Sequence, residues 1–403
     1  MKLLICSLTI PFDYVAHAGG QTHNYYVKRL KQETTTDIHL VTFCDPDEKL
    51  LIDLNRYGIS SSIIHTGNFG IPHRILRKGT HIASKIHPKI NYFGFISLFN
   101  KCLMLIELKK LKKNGYRPDV IELNWTQIVF FYTSIKKIFP EAKYYAMEQD
   151  VTFLRYERIY ITETNTKKQS NAKKQYDAIK NTELFLLKKL DKIFVFNDKD
   201  KKLLLANGIT EPMIITIVPY FKKFSFPITQ EKKNIILFYG AMARDENYMA
   251  AIWFIEKVFS LLRDKDYTFI ILGSNPPQKL RKYENDRVII TGYQQDIQPY
   301  FEQALCLVAP LKIGAGIKIK VLEALSAGLP VLGSDVASEG INVTQGIDFF
   351  HCRVPSEYVE HINTLSTNTE LRISVSISAK KLIDENYNFD KSFKQYVSII
   401  QGL

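Results

Sequence analysis

The chain has 403 residues, which is long enough for two domains that each bury a complete hydrophobic core. Hydrophobic residues make up 46% of it and aromatic residues 12%, a composition that excludes a globally disordered protein. The formal net charge is +13 at pH 7. No zinc-binding, helix-turn-helix or RNP-type motif accompanies the basic residues, so a nucleic-acid partner is disfavoured.

The N-terminal sequence MKLLICSLTIPF carries a lysine and an apolar stretch, which is also how a signal peptide begins. The apolar run is short, no small-residue cleavage site follows and Pro11 ends it, so a first buried strand is favoured. No apolar run approaches the roughly 20 residues that span a bilayer. The cysteines are odd in number and lack CxxC spacing, which favours buried free thiols in a reducing compartment. They are Cys6, Cys44, Cys102, Cys306 and Cys352. We therefore expect a cytoplasmic protein.

The first half of the chain alternates short apolar runs with helical patterns, which predicts a parallel, doubly wound α/β sheet. The predicted strands are residues 3–8, 39–43, 62–65, 120–123, 144–147 and 192–196. After the first of them, AGGQTHNYYVKRL places Gly19 and Gly20 at a strand-to-helix turn. His23 follows in that helix, where a plain surface position and a functional position are both open.

Basic residues concentrate between positions 73 and 113, where Glu107 is the one acid. They are Arg74, Arg77, Lys78, Lys85, Lys89, Lys101, Lys109, Lys110, Lys112 and Lys113. The segment also contains the apolar stretches 92–99 and 103–108, and this combination suits an interfacial element that faces anionic lipid. A solvated helix packed on its own domain fits equally well. A peripheral position at the inner face of the membrane therefore stays open.

A join between domains is predicted at residues 218–231, where prolines and lysines interrupt both patterns. The second half then alternates in the same way, with strands at residues 234–239, 269–272, 288–291, 305–309 and 331–333. The tail 389–403 has the pattern of an amphipathic helix that crosses back to the N-terminal domain. The predicted domains are residues 1–220, residues 221–387 and the returning helix 388–403.

The most informative stretch is residues 308–340, VAPLKIGAGIKIKVLEALSAGLPVLGSDVASEG. Gly314 and Gly316 predict a close turn after a strand, and a helix is expected to start near Ile317. Gly328, followed by proline, is placed to end that helix and release the chain into another strand.

The start of such a helix is an anion site, because its first N–H groups lack partners and its dipole favours negative charge. Lys318 and Lys320 are expected in the first turn, with Glu323 one turn further along the same face. Cations and backbone donors suit a diphosphate, and a carboxylate suits hydroxyl groups. The pattern therefore predicts a nucleotide-sugar site.

At these residues the chain resembles the family-4 retaining glycosyltransferases of GT-B fold, and the resemblance spans nearly the whole chain. Glu323, in LEALSAGLPV, matches the second of the family's two signature glutamates, which bonds the nucleotide ribose. The first would fall at position 315, where this chain has Ala315. The variant GxGI(K/R)xK-xxEAxxxGxPV looks like a known branch of the family without that acid. The resemblance implies two facing Rossmann-like domains.

The resembling enzymes commonly carry an arginine and a lysine on the donor diphosphate, after the first strand of the second domain. The equivalent positions here are Ala241 and Asn247, so both cations are absent. We hypothesise that the positive charge has moved to the GAGIKIK turn, with Lys320 as its main carrier and Lys318 as the second. A simple surface pair between Lys320 and Glu323 is the alternative.

Three further segments match the family in part. In VIITGYQQDIQPYFEQA, Gly292 and Tyr293 would border the base through backbone groups, and Asp296 fits a helix cap. Gly19 and Gly20 resemble the N-terminal glycine loop that approaches the donor phosphate and the acceptor.

The third segment is EQDVTFLRYERIY, which resembles the place where the family often shows His-Asp followed by arginines. Gln149 replaces the histidine, and Asp150 stays at the carboxyl end of a strand, where it can touch sugar hydroxyls. Arg155 and Arg158 form either an anion-facing patch or a salt-bridged helix face.

The resemblance implies a hexosyltransferase-type enzyme of polysaccharide biosynthesis, with retention at the anomeric carbon and with neither a metal nor a cofactor. It would move a sugar from a nucleotide-diphosphate donor to a glycan or lipid-linked acceptor. The predicted catalytic residues are Lys320, Glu323 and Asp150. The predicted donor-binding residues are Gly19, Gly20, Asn247, Gly292, Tyr293, Gly314, Gly316, Ile317, Lys318, Lys320 and Glu323.

Two alternatives remain open on the sequence alone. A sugar-nucleotide epimerase shares the two-domain architecture. A non-catalytic member that binds a nucleotide or a partner protein is suggested by the departures at Ala315, Ala241, Asn247 and Gln149.

Overall fold

The computed structural model of the chain describes residues 1–13, 15, 17–66, 98–228, 232–262 and 266–403. These residues form two compact units, which we call the first unit (Met1–Tyr220 with Phe389–Leu403) and the second unit (Phe221–Asn388). Each unit contains a parallel sheet with helical connections, so the expected pair of doubly wound α/β folds is confirmed.

In the described part of the chain, the first unit has a seven-stranded parallel sheet with the order β3-β2-β1-β4-β5-β6-β7. Its strands are β1 Lys2–Ser7, β2 Asp37–Cys44, β3 Ser60–His65, β4 Val120–Asn124, β5 Lys143–Glu148, β6 Lys192–Val195 and β7 Ile214–Thr216. Leu3, Leu4 and Ile5 of β1 are fully buried, as expected of a central strand covered on both faces. The strand order reverses between β1 and β4, and ligands of such sheets bind at the carboxyl ends of the strands at that reversal.

The first unit's helices before residue 221 connect these strands. They are α1 Ala18–Glu33, α2 Leu98–Lys113, α3 Thr126–Val129, α4 Tyr132–Ile138, α5 Thr152–Thr162, α6 Thr166–Leu187 and α7 Asp198–Ala206. Short 3-10 helices lie at Pro46–Leu51, Leu54–Tyr57 and Glu211–Met213. The sequence DKD at residues 198–200 opens α7, where the Asn197 side chain caps the helix by accepting the Asp200 N–H at 2.8 Å.

The second unit has a six-stranded parallel sheet in the described residues, with the order β10-β9-β8-β11-β12-β13. Its strands are β8 Ile235–Tyr239, β9 Thr268–Leu272, β10 Val288–Gly292, β11 Cys306–Ala309, β12 Val331–Gly333 and β13 Phe350–His351. Its helices are α8 Asp245–Lys257, α9 Gln278–Arg281, α10 Gln298–Gln303, α11 Ile319–Ser326, α12 Pro355–Thr367 and α13 Thr369–Asn386, with a 3-10 turn at Phe259–Leu261. Here the strand order reverses between β8 and β11.

The last helix, α14 (Phe389–Gln401), belongs to the first unit. The residues that it buries are Ser392, Phe393, Tyr396 and Ile400, which share one helix face. The hydroxyl of Tyr396 lies 2.8 Å from that of Tyr145 on β5 and donates to the buried Glu122 of β4 at 3.3 Å. The helix is thereby fixed to the centre of the first sheet.

The basic segment 73–113 is described only from residue 98 onwards, and the predictions for residues 73–97 lie outside the described residues. The described part is α2, which buries Met104 and Leu108 and ties the Lys112 ammonium to the carbonyl of Ile138 at 2.5 Å. This part packs on its own unit. Within the described residues, we find no helix that is both long enough and apolar enough to cross a membrane.

All five cysteines are free thiols, and four of them are buried as expected. The exception is Cys102 on α2, which is exposed. Cys102 lies among apolar residues in the sequence, but the buried residues of α2 are Met104 and Leu108 and Cys102 is not among them.

Candidate functional site

A glycine follows each of the neighbouring strands β8 and β9 at its carboxyl end, and the backbones of these glycines, Gly240 and Gly273, approach each other closely. The N–H of Gly240 donates to the carbonyl of Leu272 at 3.0 Å. A Cβ atom on Gly273, whose φ is 150°, would lie 1.7 Å from the carbonyl oxygen of Gly240. Only glycine fits there, so this edge of the second sheet is bare backbone that a ligand can approach closely. It borders the reversal between β8 and β11.

Lys320 brings a cation to this edge from the first turn of α11. Its Nζ donates a hydrogen bond of 2.7 Å to Oδ1 of Asn247, and Nδ2 of Asn247 donates to the carbonyl of Ala241 at 2.9 Å. A Cβ atom on Gly240 would lie 2.7 Å from the same Nζ, so the glycine makes room for the ammonium group. The ammonium also lies 4.8 Å from the ring centroid of Phe238. Lys320 thus contacts Asn247, the residue at the position where the resembling family carries a lysine.

Charge is concentrated around Lys320. Burial, together with the positive charges of Arg244 and Lys318, lowers the pKa of Lys320 to about 7, and Glu246 acts in the opposite direction. A bound anion would raise this pKa, because it would stabilise the ammonium form. Nothing in the sequence pattern singles out Arg244. Only the fold of the β8–α8 loop brings its charge close to Lys320.

The helix that carries Lys320 begins later than expected. The predicted start near Ile317 is wrong, since α11 begins at Ile319 and Lys318 is its N-cap residue, with φ −93° and ψ 95°. The reason lies in the glycine turn: Gly316 has a φ of 71°, and Nζ of Lys318 donates to its carbonyl at 2.6 Å. Neither a capping side chain nor an acidic residue occupies the first turn of α11. Its amide end is therefore suited to an anion.

Glu323 lies one turn further along α11 and is only 7% exposed. Burial raises its pKa to about 8, against the opposing effect of the Lys222 backbone N–H, which donates to its carboxylate, and of the Lys222 charge. Ser326 accepts the N–H of Phe224 at 3.0 Å, so the chain around Lys222 runs along this helix. The surface pair between Glu323 and Lys320 is not formed, because each side chain bonds a different partner. A buried carboxyl group in this position suits a pair of hydroxyl donors.

The remaining predicted donor residues of the second unit lie at the same carboxyl edge. Gly314, with a φ of 139°, and the half-buried Ile317 belong to the turn before α11. Gly292 ends β10 with a φ of 74°, and its carbonyl accepts the N–H of Gly273 at 2.9 Å. Tyr293 follows and is 65% exposed. Asp296 accepts the N–H of Gln298 at 3.0 Å and so supports the start of α10.

In the first unit, Gly19 and Gly20 lie inside a helix rather than in the turn before it, because α1 begins at Ala18. The N–H of Gly20 donates to Nδ1 of His17, the N-cap residue, at 3.0 Å. A Cβ atom on Gly20 would lie 2.7 Å from both the His17 ring and the Val15 side chain. Gly20 therefore serves close packing at the helix start.

Asp150 is the second residue after β5 and lies near a buried acid. Glu148, the last residue of β5, has its pKa raised to about 8, mainly by burial and partly by the charge of Asp150. Glu183 of α6 accepts the N–H groups of Thr152 and Phe153 at 2.9 Å and thereby caps α5. Arg155 and Arg158 lie on that helix, one turn apart.

A cluster at the carboxyl end of β4 was not expected from the sequence. His23 is fully buried, so the surface alternative is wrong for it, and burial together with His17 lowers its pKa to about 3. Asn124 donates from Nδ2 to Nδ1 of His23 at 2.7 Å, and its Oδ1 accepts from Nε2 of Gln149 at 3.0 Å. Trp125, the next residue, packs edge-on against His23 with ring centroids 5.4 Å apart. The sequence signal that could have revealed the cluster is Trp125, which directly follows β4, the strand at which the order of the first sheet reverses.

Part of the chain matches a known protein family. Residues 233–368, about a third of the chain, match the family model described as "Glycosyl transferases group 1". We call residues 233–368 the matched domain. The domain contains the Gly240 edge, Asn247, Lys320 and Glu323, so the part of the chain with the predicted diphosphate site is also the part that matches.

Two relatives extend the match along the sequence. An uncharacterised 44.6 kDa protein in the cps region of Klebsiella pneumoniae is 24% identical over 213 residues, which are 50% of this chain and 53% of that protein. The chain therefore spans about half the length of this relative. An uncharacterised glycosyltransferase of Methanocaldococcus jannaschii is 22% identical and covers 100% of this chain and 99% of its own length.

Solved structures share the fold of this chain at low sequence identity. Anabaena HepE in complex with UDP and glucose has a TM-score of 0.68 and 12% identity, covering 100% of both chains. Sucrose-phosphate synthase from Thermosynechococcus elongatus has a TM-score of 0.68 and 13% identity, covering 100% of this chain and 98% of its own. The TM-scores and the full coverage confirm the expected fold of two parallel-sheet α/β domains. The comparisons therefore show a matched domain at residues 233–368 and a fold shared along the whole chain.

Proposed function

We propose that this protein transfers a sugar from a nucleotide-diphosphate donor to a glycan or lipid-linked acceptor, with retention at the anomeric carbon. The observation that carries the proposal is the Lys320 ammonium, held beside Gly240 and Asn247 at the start of α11. Structures of similar fold support the substrate classes. HepE was solved with UDP-glucose, and TarM of S. aureus with UDP and α-GlcNAc-glycerol.

The charged groups around Lys320 have defined roles in this proposal. Lys320 and the amide end of α11 bind the diphosphate, and Lys318 and Arg244 add positive charge around them. Glu323 accepts hydrogen bonds from the ribose hydroxyls. Asn247 positions the Lys320 ammonium. Gly292 and Tyr293 border the base, and in the first unit Asp150 contacts sugar hydroxyls.

The chemistry follows from charge development on the leaving group. The bond between the anomeric carbon and the diphosphate oxygen breaks, and the negative charge that develops on the diphosphate is stabilised by Lys320 and the helix amides. The acceptor oxygen then bonds to the anomeric carbon on the same face of the sugar, and its proton passes to the departing phosphate oxygen. Side-chain cations supply the positive charge, so we propose a reaction without a metal. A cytoplasmic location and a membrane contact through residues 73–113 stay predictions.

The test is donor turnover without acceptor. The purified protein is incubated with UDP-, GDP- and dTDP-sugars, and the products are separated by chromatography. We expect release of the nucleoside diphosphate and free sugar from one donor class, strong loss of this activity in Lys320→Ala, and retention in the exposed-lysine control Lys279→Ala. A new sugar nucleotide as the product, or the absence of both turnover and nucleotide binding, would overturn the proposal.

A further inference from the structure

Trp125 has a backbone conformation that tryptophan rarely adopts. Its φ is 75° and its ψ is 143°, a region in which a residue with a Cβ atom is sterically strained. The surroundings hold it there: its N–H donates to the carbonyl of Met147 at 3.1 Å, and its carbonyl accepts the N–H of Ile128 at 2.9 Å. Such strain persists mostly at functional sites, and Trp125 directly follows β4 beside the reversal of the first sheet.

The orientation of the indole is fixed by two histidines. His17 and His23 pack edge-on against it, with ring centroids 6.4 Å and 5.4 Å away. Asn124 donates to Nδ1 of His23, so the proton of the neutral imidazole is on Nε2. Nε2 is buried and has no hydrogen-bond partner among the described residues. The fully buried His23 ring thus packs against Trp125 and is held by Asn124 at Nδ1.

A hydrogen-bond donor, Nε1 of Trp125, and an acceptor, Oε1 of Gln149, both lie beside Gly19. The position that a Cβ atom would take on Gly19 lies 3.3 Å from Oε1 of Gln149 and 3.5 Å from Nε1 of Trp125. The other end of the Gln149 amide is held by Asn124, which fixes Oε1 as the end that faces Gly19. Within the described part of the chain, the structure assigns no hydrogen bond to Oε1 of Gln149 or Nε1 of Trp125. We call this spot the Gly19 recess.

We infer that the Gly19 recess binds a hydroxyl group of a sugar, with Nε1–H of Trp125 donating to the hydroxyl oxygen and Oε1 of Gln149 accepting its proton. A hydroxyl is the group that both accepts and donates, whereas a phosphate oxygen only accepts and an ammonium only donates. The recess groups are neutral, which also disfavours a phosphate. This inference rests on the proposed function, since the sugar belongs to either the donor or the acceptor of that reaction.

The two tryptophans of the chain allow a direct test. Trp253 packs edge-on against Tyr358 in the second unit, and Trp253→Phe keeps an aromatic ring there. The variant leaves Trp125 as the sole tryptophan, whose emission can be excited selectively over that of the tyrosines. This variant is titrated with UDP-glucose, UDP-N-acetylglucosamine and GDP-mannose, with UDP and GDP alone, and with methyl glycosides of glucose, galactose, mannose and N-acetylglucosamine. We expect a saturable change in emission with a sugar-bearing ligand and none with the bare nucleotide. A response to nucleotide sugars assigns the hydroxyl to the donor, and a response to glycosides assigns it to the acceptor.

Substitutions in the same background test the two hydrogen-bonding groups. Gly19→Ala fills the recess at a position inside α1, where alanine also favours the helix, so the protein is expected to fold. Gln149→Leu removes the acceptor, and Gln127→Leu is the matched control two positions from Trp125. Gly19→Ala and Gln149→Leu should each weaken the sugar response roughly tenfold, the cost of one hydrogen bond, and Gln127→Leu should not.

The failure of this inference is distinguishable from the failure of the proposed function. If calorimetry detects nucleotide-sugar binding while the Trp125 emission changes with none of the sugar ligands, sugar binding at the Gly19 recess is overturned and the proposed function stands. If neither measurement detects binding, both are overturned. A sugar response that survives in Gly19→Ala and Gln149→Leu also contradicts the recess.

Discussion

Lys320 on α11 donates a hydrogen bond of 2.7 Å to the side-chain oxygen of Asn247 on α8, from the other side of the reversal in the second sheet. An amide oxygen accepts this bond without cancelling the positive charge. A carboxylate at position 247 would neutralise the ammonium and repel a phosphate. The pair therefore holds a cation in place and leaves its charge available to a diphosphate.

Removal of the ammonium should weaken donor binding. A charge-assisted hydrogen bond to phosphate contributes about 1.5–3 kcal/mol, so Lys320→Ala should reduce nucleotide affinity about ten- to a hundredfold in titration calorimetry. Lys279→Ala, which removes an exposed lysine on α9, is the control for net charge. Equal affinities for the wild type and Lys320→Ala would remove Lys320 from the site.

Substitutions of Asn247 should separate the positioning of Lys320 from its charge. In Asn247→Ala the ammonium loses one acceptor but keeps its charge, so a modest loss of affinity is expected. In Asn247→Asp the new carboxylate pairs with Lys320 and repels the diphosphate, so the loss should be larger. Calorimetry on both variants checks this order. An Asp variant that binds the donor as well as the Ala variant would contradict it.

Donor affinity should depend on pH through Lys320. In the free protein burial and neighbouring cations place its pKa at about 7, and a bound diphosphate raises that pKa. Below pH 7 the ammonium is already present. Above pH 7 binding must take up a proton, so affinity should fall by up to about tenfold per pH unit. UDP-glucose is a suitable probe because its diphosphate does not titrate in this range.

The measurement is calorimetry at pH 8 in two buffers of different ionisation enthalpy, which reports proton uptake. Uptake should be present in the wild type and reduced in Lys320→Ala. Release of protons, or equal uptake in both proteins, would be inconsistent with a neutral lysine in the free site.

The sequence predicts the sheet and the glycine turn well, because both depend on local patterns. Apolar runs mark the central strands, and Gly314 and Gly316 mark the turn. Strands β7 and β13 escape prediction, since Ile214–Thr216 and Phe350–His351 are too short to show a period of two.

The partners within the site could not be predicted in the same way. Lys320 meets Asn247 through tertiary structure, and Arg244 approaches Lys320 only through the path of the β8–α8 loop. His23 looks like a surface residue on its helix, yet the packing of Trp125 and Asn124 buries it. The start of α11 was misplaced because the left-handed conformation of Gly316 delays the helix.

Glu323 should show a conflict between stability and function. Its pKa is raised by burial from 4.5 to about 8, so its ionisation opposes folding. The destabilisation is absent below pH 4.5, grows between the two values and is complete above pH 8. Glu323→Gln keeps an oxygen that can accept the Lys222 N–H and carries no charge. The variant should therefore unfold at a higher temperature than the wild type at pH 9, with little difference at pH 5.

At pH 9, where Glu323 is ionised, donor affinity should fall in the same Glu323→Gln protein, because an amide is a weaker acceptor than a carboxylate for the ribose hydroxyls. Melting curves at pH 5 and pH 9 test the predicted stability, and nucleotide titrations test the predicted loss of donor affinity. A variant that is less stable than the wild type at pH 9 would show that ionised Glu323 supports the fold.

The most direct measurement is the structure of the protein in complex with UDP. Our account predicts a diphosphate against the first amides of α11, with a phosphate oxygen within hydrogen-bonding distance of Nζ of Lys320 and the ribose at Glu323. A UDP molecule bound elsewhere, or packed side chains that close the Gly240 edge to any ligand, would contradict it.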